Sequence, residues 1–139
     1  MPFVVLDSSL PASSFSEDFL KRFCSVTAAA LGKPEDPTSA ATRYEPAQLT
    51  GRSFPSQRMN LVVHPGLPML VGGSCAPCVL VSVSAISVTD SAEKNKEHSA
   101  KIFGFLTKEL SLAEDRIVIQ FLELQPHQVG KKGTVMSFL

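Results

Sequence analysis

The chain has 139 residues, of which 44% are hydrophobic, and its 13 basic and 13 acidic side chains leave a formal net charge of zero. This length predicts one domain with a sizeable core, and the charge balance argues against nucleic acid or a membrane surface as partner, because both attract basic proteins. No apolar run approaches the roughly 20 residues that span a bilayer, and no basic residue precedes the N-terminal FVVL as in a signal peptide. We therefore expect a cytoplasmic protein.

The first half of the chain predicts a strand, a helix and a second strand. FVVL is a short apolar strand, and Ser14 with Glu17 matches the S-x-x-E capping box that begins many helices. Apolar side chains then recur every three to four residues, as on one face of a helix, at Phe15, Phe19, Phe23, Val26 and Ala30. Gly32 and Pro34 are residues that typically end a helix, and MNLVV predicts the second strand.

The second half repeats this order. CVLVSVSAISV is a long strand rich in β-branched residues, Asp90 and Glu93 offer a second capping pair, and RIVIQFL predicts the last strand. Between these strands, residues 91–110 carry one apolar helical face, formed by Ile102, Phe103, Leu106 and Leu110. The polar run EKNKEH at 93–98 is interpreted as the solvated face of that helix.

The two halves correspond except at residues 37–57, a stretch rich in Pro, Ser and Thr that is interpreted as an inserted surface loop. Without it the chain is two β-α-β units. We expect a single α+β domain over 1–139, in which the units merge into a four-stranded mixed sheet with both helices on one face. The other face would be bare, so association into a homo-oligomer is expected, and the tail GKKGTVMSFL could extend a neighbour's sheet.

The cysteine and histidine pattern predicts no metal or redox centre. Cys75 and Cys78 form a lone C-x-x-C motif, but an apolar strand follows it instead of the helix N-terminus that lowers a redox thiol's pKa. His64, His98 and His127 are scattered, whereas a zinc site needs about four ligands. The motif is interpreted as a turn followed by a buried strand cysteine, and we expect neither metal nor cofactor.

Pro2 is the residue on which the functional prediction depends. Proline is tolerated at the first position of a strand without any function. If Met1 is removed, however, Pro2 carries a secondary amine beside the apolar FVVL, and burial together with the charge of Lys33 would lower that amine's pKa toward neutrality, where a general base works best. Lys33 could equally be an ordinary cation near a helix C-terminus. These residues alone leave both interpretations open.

Several separated blocks, in order and reaching both ends of the chain, resemble the tautomerase superfamily that contains macrophage migration inhibitory factor. They are MPFVVLDSSLP, ALGKPED, CAPCVLVSVSAI, HSAKIFGFLTKELSLAEDRIVI and GKKGTVMSF. Val118 and Gln120 replace the pocket tyrosine and asparagine of the inhibitory factor, so the chain is more similar to the D-dopachrome tautomerases within the superfamily.

This resemblance implies a homotrimer with pockets at subunit interfaces and no cofactor or metal. It implies that Met1 is removed, that Pro2 is the catalytic base, and that Lys33 and the backbone N–H of Ile86 bind the substrate carboxylate. The implied reaction converts D-dopachrome to 5,6-dihydroxyindole, a decarboxylation with tautomerisation, with phenylpyruvate tautomerisation as the expected side activity.

Three further site residues depart from the family pattern. Ala85 stands where a serine is usual, His127 replaces a tryptophan, and Arg58, which would line the pocket, follows the insertion instead of the first helix directly. Two alternatives therefore stay open beside the enzyme: a cytokine-like secreted ligand with a cell-surface receptor, and a catalytically impaired variant whose pocket or trimer contacts the insertion at 37–57 obstructs.

Overall fold

The computed structural model describes residues 1–32 and 58–139. Lys33 and the predicted insertion at 37–57 therefore lie outside the described residues. The helices and strands are β1 (Phe3–Ser8), α1 (Glu17–Leu31), β2 (Asn60–His64), β3 (Val79–Ile86), α2 (Ala92–Leu110), β4 (Ile117–Leu124), β5 (Gly130–Lys131) and β6 (Thr134–Val135). The predicted order of strand, helix and strand, twice over, is confirmed.

Four strands form one mixed sheet in the order β2-β1-β3-β4. Strand β1 runs parallel to β2 and antiparallel to β3, and β3 runs parallel to β4. Each parallel pair belongs to one β-α-β unit, and the antiparallel pair of β1 and β3 joins the two units at the centre. The predicted fold class, two merged β-α-β units, is therefore confirmed.

Both helices pack on one face of this sheet. Side chains that alternate along β1 and β3 point to that face and are almost fully buried, as the period of two along a strand requires. Aromatic rings fill the space between the helices: the ring of Phe23 stacks on that of Phe105 at a centroid distance of 5.6 Å, and Phe19 lies 5.6 Å from the same ring. The core cluster joins Val4, Leu6, Phe19, Phe23, Leu31, Val79, Val81, Val83, Ile102, Leu106 and Ile117, among others.

Both predicted helix caps are wrong by one or two residues. Helix α1 is capped by Ser16, whose hydroxyl accepts a hydrogen bond from the Phe19 N–H at 3.1 Å. Ser14 instead ends a short 3-10 turn. At α2 the cap is Ser91, and the carboxylate of Asp90 binds the ammonium group of Lys94 at 2.8 Å. In both helices the cap is the serine directly before the first helical residue, because its hydroxyl reaches the free N–H groups of the first turn, which Ser14 and Asp90 lie too far out to reach.

The second face of the sheet carries apolar side chains that no other part of residues 1–32 and 58–139 covers. Val62, Leu80, Val118 and Leu122 are 38–49% exposed on it. The tail forms a small hairpin of β5 and β6, with Lys132 and Gly133 both at positive φ, which is the backbone that a two-residue hairpin turn requires. Among the described residues, neither helix has the length and hydropathy needed to cross a bilayer.

A turn between β2 and β3 contains the C-x-x-C motif. Cys75 is exposed in this turn, and Cys78 is buried immediately before β3, as predicted. The guanidinium group of Arg116 fixes the turn by donating to the backbone carbonyls of Val71, Ser74, Ala76 and Pro77 at 2.7–3.2 Å. The motif is part of a rigid structural loop at the edge of the sheet.

Candidate active site

The strand register brings Pro2 and the end of β3 to the same end of the sheet, where β1 begins and β3 finishes; this end is called the edge below. Phe3 is paired with Ser84 in the antiparallel ladder, so one further step along that register places Pro2 opposite Ala85. Ala85 and Ile86 are the last two residues of β3. The edge thus brings Pro2 next to two residues that lie more than 80 positions away in the sequence.

Pro2 is fully buried, and its carbonyl is held from β2. The backbone N–H of Asn60 donates to the Pro2 carbonyl at 3.1 Å, and the side-chain amide of Asn60 donates to the same oxygen at 3.2 Å. That amide also lies 3.0 Å from the sulfur of Met1. Because the carbonyl is fixed twice, the position of the Pro2 nitrogen at the sheet edge is fixed as well.

The electrostatic environment of this edge disfavours a protonated amine. Burial lowers the pKa of the Met1 amino group below its ordinary value, and the positive charges of Arg58 and Lys131 lower it further. Arg58 lies just before β2, and Lys131 belongs to the tail hairpin, so two separate parts of the chain contribute these cations. An amine exposed at Pro2 by removal of Met1 would lie one residue further into the same environment.

The remaining predicted site residues have different outcomes. Arg58 lies close enough to act on the N-terminal amine, and Ala85 and Ile86 lie at the same edge as Pro2. His127 is exposed in the 3-10 turn Pro126–Gln128 that follows β4, at the same end of the sheet. Lys33, the predicted anchor for the substrate carboxylate, lies outside the described residues.

The turn that leaves β3 beside this site was not singled out from the sequence. Ser87 follows Ile86 directly and has a φ of 63°, a left-handed backbone that is uncommon for a residue other than glycine. The side chain of Glu123, near the end of β4, accepts hydrogen bonds from the backbone N–H groups of Ser87 at 2.6 Å and Thr89 at 3.3 Å. Only the pairing of β3 with β4, which sets Glu123 opposite Ala85, brings this carboxylate to the turn.

The interpretation of residues 93–98 as a solvated helix face is wrong for Asn95 and His98. The ring Nε2 of buried His98 lies 2.6 Å from the Val88 carbonyl, and the Asn95 amide donates to the Thr89 carbonyl at 3.1 Å. Lys94 donates to the Ser87 carbonyl at 3.4 Å. The first turns of α2 therefore bind the loop that follows β3, because that loop has carbonyl groups that no strand pairs.

Two grooves in the described part of the protomer lie away from this edge. One lies between α1 and β2, lined by Leu20, Cys24, Met59 and Leu61 among others, and the second runs along the outer side of α2 beside Phe103 and Gly104. None of the predicted site residues lines either groove. These grooves are therefore not the predicted substrate site.

The family model described as macrophage migration inhibitory factor (MIF) matches residues 1–53 and 41–137 of the chain. The chain belongs to the MIF family. The membership that the sequence blocks predicted is thus confirmed.

Within the MIF family, the chain is similar to curated proteins over its whole length. It is 48% identical to the D-dopachrome decarboxylase of Bos taurus and 45% identical to that of Xenopus tropicalis, and each alignment covers 100% of both chains. The macrophage migration inhibitory factor homolog of Brugia malayi is 29% identical over 99% of this chain and 100% of its own. The sequence is thus more similar to these decarboxylases than to that homolog.

A solved structure of the MIF family has the same fold. The macrophage migration inhibitory factor from Trichinella spiralis superimposes with a TM-score of 0.74 at 21% identity, covering 96% of this chain and 98% of its own. At this identity the likeness concerns the fold alone.

Proposed function

We propose that this MIF-family chain is a cofactor-independent D-dopachrome decarboxylase and tautomerase, a lyase whose general base is the amine of Pro2. Removal of Met1 exposes that amine. The relatives from Bos taurus and Xenopus tropicalis carry the name D-dopachrome decarboxylase at 45–48% identity over the full length, which supports the assignment of substrate and reaction.

The environment of the N-terminus is the observation that carries this proposal. An amine is a useful base only when it is unprotonated at the working pH. At this edge, burial and the charges of Arg58 and Lys131 lower the pKa of the terminal amine, and the two hydrogen bonds from Asn60 hold Pro2 in place. The same cations would attract a substrate that carries a carboxylate.

The chemistry needs one base and a fixed anion. The Pro2 nitrogen takes a proton from the ring carbon next to the one that carries the carboxylate. The bond to the carboxylate carbon breaks and CO₂ leaves. Of the two electron pairs that these bonds release, one forms the double bond between the two ring carbons and the other reduces the quinone. Its two oxygens end protonated, one by the proton that Pro2 returns and one by solvent. Binding of the carboxylate by Lys33 and by the Ile86 N–H would orient these atoms, with Arg58, Ala85 and His127 completing the pocket wall.

We further propose that the active assembly is a homotrimer in the cytoplasm. The bare sheet face, with Val62, Leu80, Val118 and Leu122 half exposed, supports association of copies of the chain. Release from the cell and binding to a receptor stay predictions, as does the placement of residues 37–57 as a surface loop.

Turnover of two substrates, D-dopachrome with its free carboxylate and phenylpyruvate, tests the proposal. Intact mass should show that Met1 is absent, and Pro2→Gly should lower kcat/KM by about 10²- to 10⁴-fold, the usual loss when a general base is removed. Pro11→Gly, at an exposed proline beyond the opposite end of β1 from Pro2, is the matched control and should keep full activity.

Three results separate the alternatives. Full activity in Pro2→Gly, or retention of Met1 in an active protein, would refute the proposed base. Activity that appears only after deletion of residues 37–57 would identify an impaired variant. A protein that turns over neither substrate with or without the deletion, yet binds a cell-surface receptor, would be a ligand.

A further inference from the structure

The three-residue turn after β3 has almost all of its backbone polar groups bound by side chains from elsewhere. The N–H groups of Ser87 and Thr89 donate to Glu123, from β4. Its three carbonyls, of residues 87–89, are bound by side chains of α2, at Lys94, Asn95 and His98. Irregular backbone that is held from two elements keeps one conformation.

Glu123 is the centre of this arrangement on the sheet side. One carboxylate oxygen lies 2.6 Å from the Ser87 nitrogen, and the other lies 3.3 Å from the Thr89 nitrogen and 3.0 Å from the Thr89 hydroxyl. The hydroxyl also lies 2.9 Å from the Leu122 carbonyl, so its proton has two acceptors on β4. A single side chain therefore fixes both ends of the turn.

The backbone of Ser87 explains why the turn needs such a partner. A left-handed conformation at φ 63° is unfavourable for a residue with a Cβ atom, so an unsupported turn would spend much of its time in other conformations. Ile86 immediately precedes this residue, and a rotation at Ser87 would move the end of β3 relative to Pro2.

We propose that Glu123 is a positioning residue: its carboxylate holds the turn at 87–89 and thereby holds Ile86 where its N–H binds the substrate carboxylate. This inference rests on the proposed function. Glu123 acts through the turn and touches neither Pro2 nor the substrate. Its loss leaves the base intact but lowers the fraction of molecules whose turn is ready to bind.

The consequence for kinetics follows from that fraction. Apparent affinity falls in proportion to the population of the binding-competent conformation, whereas a substrate that has bound meets the same base. We therefore expect Glu123→Ala to raise KM for phenylpyruvate about tenfold with kcat within about twofold of the parent protein. Glu123→Gln keeps one acceptor oxygen, so its KM should lie between that of the parent protein and that of Glu123→Ala.

A second substitution tests the stated cause. Glycine adopts the left-handed conformation without steric cost. Ser87→Gly should therefore remove part of the conformational free-energy cost that the hydrogen bonds of Glu123 offset. The rise in KM on changing Glu123 to Ala should be clearly smaller in the Ser87→Gly background than in the parent. Glu114→Ala, at an exposed carboxylate near the opposite end of β4, is the matched control and should leave both constants unchanged.

Amide hydrogen exchange gives a readout that does not depend on turnover. The Ser87 and Thr89 amides should exchange faster in Glu123→Ala, while amides of α1 keep their protection. Unchanged exchange, or a fall in kcat with KM unchanged, would overturn the positioning role even if Pro2 proves to be the base. If neither the parent protein nor any variant is active but the Ser87 and Thr89 amides lose protection in Glu123→Ala, Glu123 does hold the turn and it is the proposed function that fails.

Discussion

A carboxylate placed on the bare face of the sheet should dissociate the assembly. Val118 lies on β4 and points away from the helices with 49% of its surface exposed, and Leu122 on the same face is 48% exposed. If copies of the chain cover this face, Val118 is buried in the assembly. We expect Val118→Glu to convert the oligomer to monomers.

The size of the effect follows from the exposed fractions. The four exposed apolar residues of this face together expose about two full side chains' worth of surface, and burying a Val or Leu side chain contributes about 1.5–3 kcal/mol. Covering the face therefore stabilises the assembly by about 3–5 kcal/mol per protomer. A buried, unpaired carboxylate costs several kcal/mol, which offsets most of this gain. Because each 1.4 kcal/mol is a factor of ten, the dissociation constant should rise by about three orders of magnitude.

Sedimentation equilibrium over a concentration series measures this directly. Val118→Thr, which keeps the side-chain shape, should leave the assembly nearly intact. Ala100→Glu adds the same charge to an exposed position on the outer side of α2 and should change nothing. If Val118→Glu stays assembled, or if Ala100→Glu dissociates instead, the sheet face is not the interface and the reasoning from its exposed residues is wrong.

Three further changes test other parts of the structure. Arg58→Ala removes a cation that disfavours the protonated N-terminal amine, so the pKa of that amine should rise. The acidic limb of the pH profile of kcat/KM should then move to higher pH, and an unchanged profile would contradict the role of Arg58. Arg116→Ala frees four carbonyls and should lower the free energy of unfolding, measured in urea, by about 2 kcal/mol. Ser16→Ala should cost about 1 kcal/mol in the same assay and Ser14→Ala much less, because only Ser16 caps α1; the reverse order would contradict the cap.

The fold could be predicted because each signal was local and strong. Strand β3 is an uninterrupted strand of eight residues, and the spacing of Phe19, Phe23, Val26 and Ala30 is that of one helical face; Phe15, which was predicted on the same face, instead precedes α1. Handedness and the two-fold repetition of the β-α-β unit then leave few ways to join the strands. The position of each helix start could not be fixed in the same way, since Ser14, Ser16 and Ser91 are equivalent in type and only the chain's entry angle selects the cap.

The sequence could single out candidate site residues at strand ends, but not the residues whose contacts depend on tertiary pairing. Pro2 could be singled out because a terminal amine is chemically unusual in any fold. Nothing in the sequence connects Glu123 to Ser87, because the contact exists only once β4 pairs in register with β3.

The same pairing explains why the polar run before His98 resembled an ordinary wet helix. A polar residue on a helix is solvated unless a neighbouring loop has unpaired carbonyls, and such a loop is invisible to helical periodicity. Here the loop is irregular because β3 ends in a left-handed residue, so the carbonyls of Val88 and Thr89 point at α2 and are bound there by His98 and Asn95. The irregular backbone at 87–89 cannot be predicted from helical periodicity, yet it is what requires the polar side chains of α2. It also lies next to the residues that would bind substrate. The polar residues Asn95 and His98 in the first turns of α2 are therefore better understood as hydrogen-bond partners of the turn at 87–89 than as solvent-facing residues.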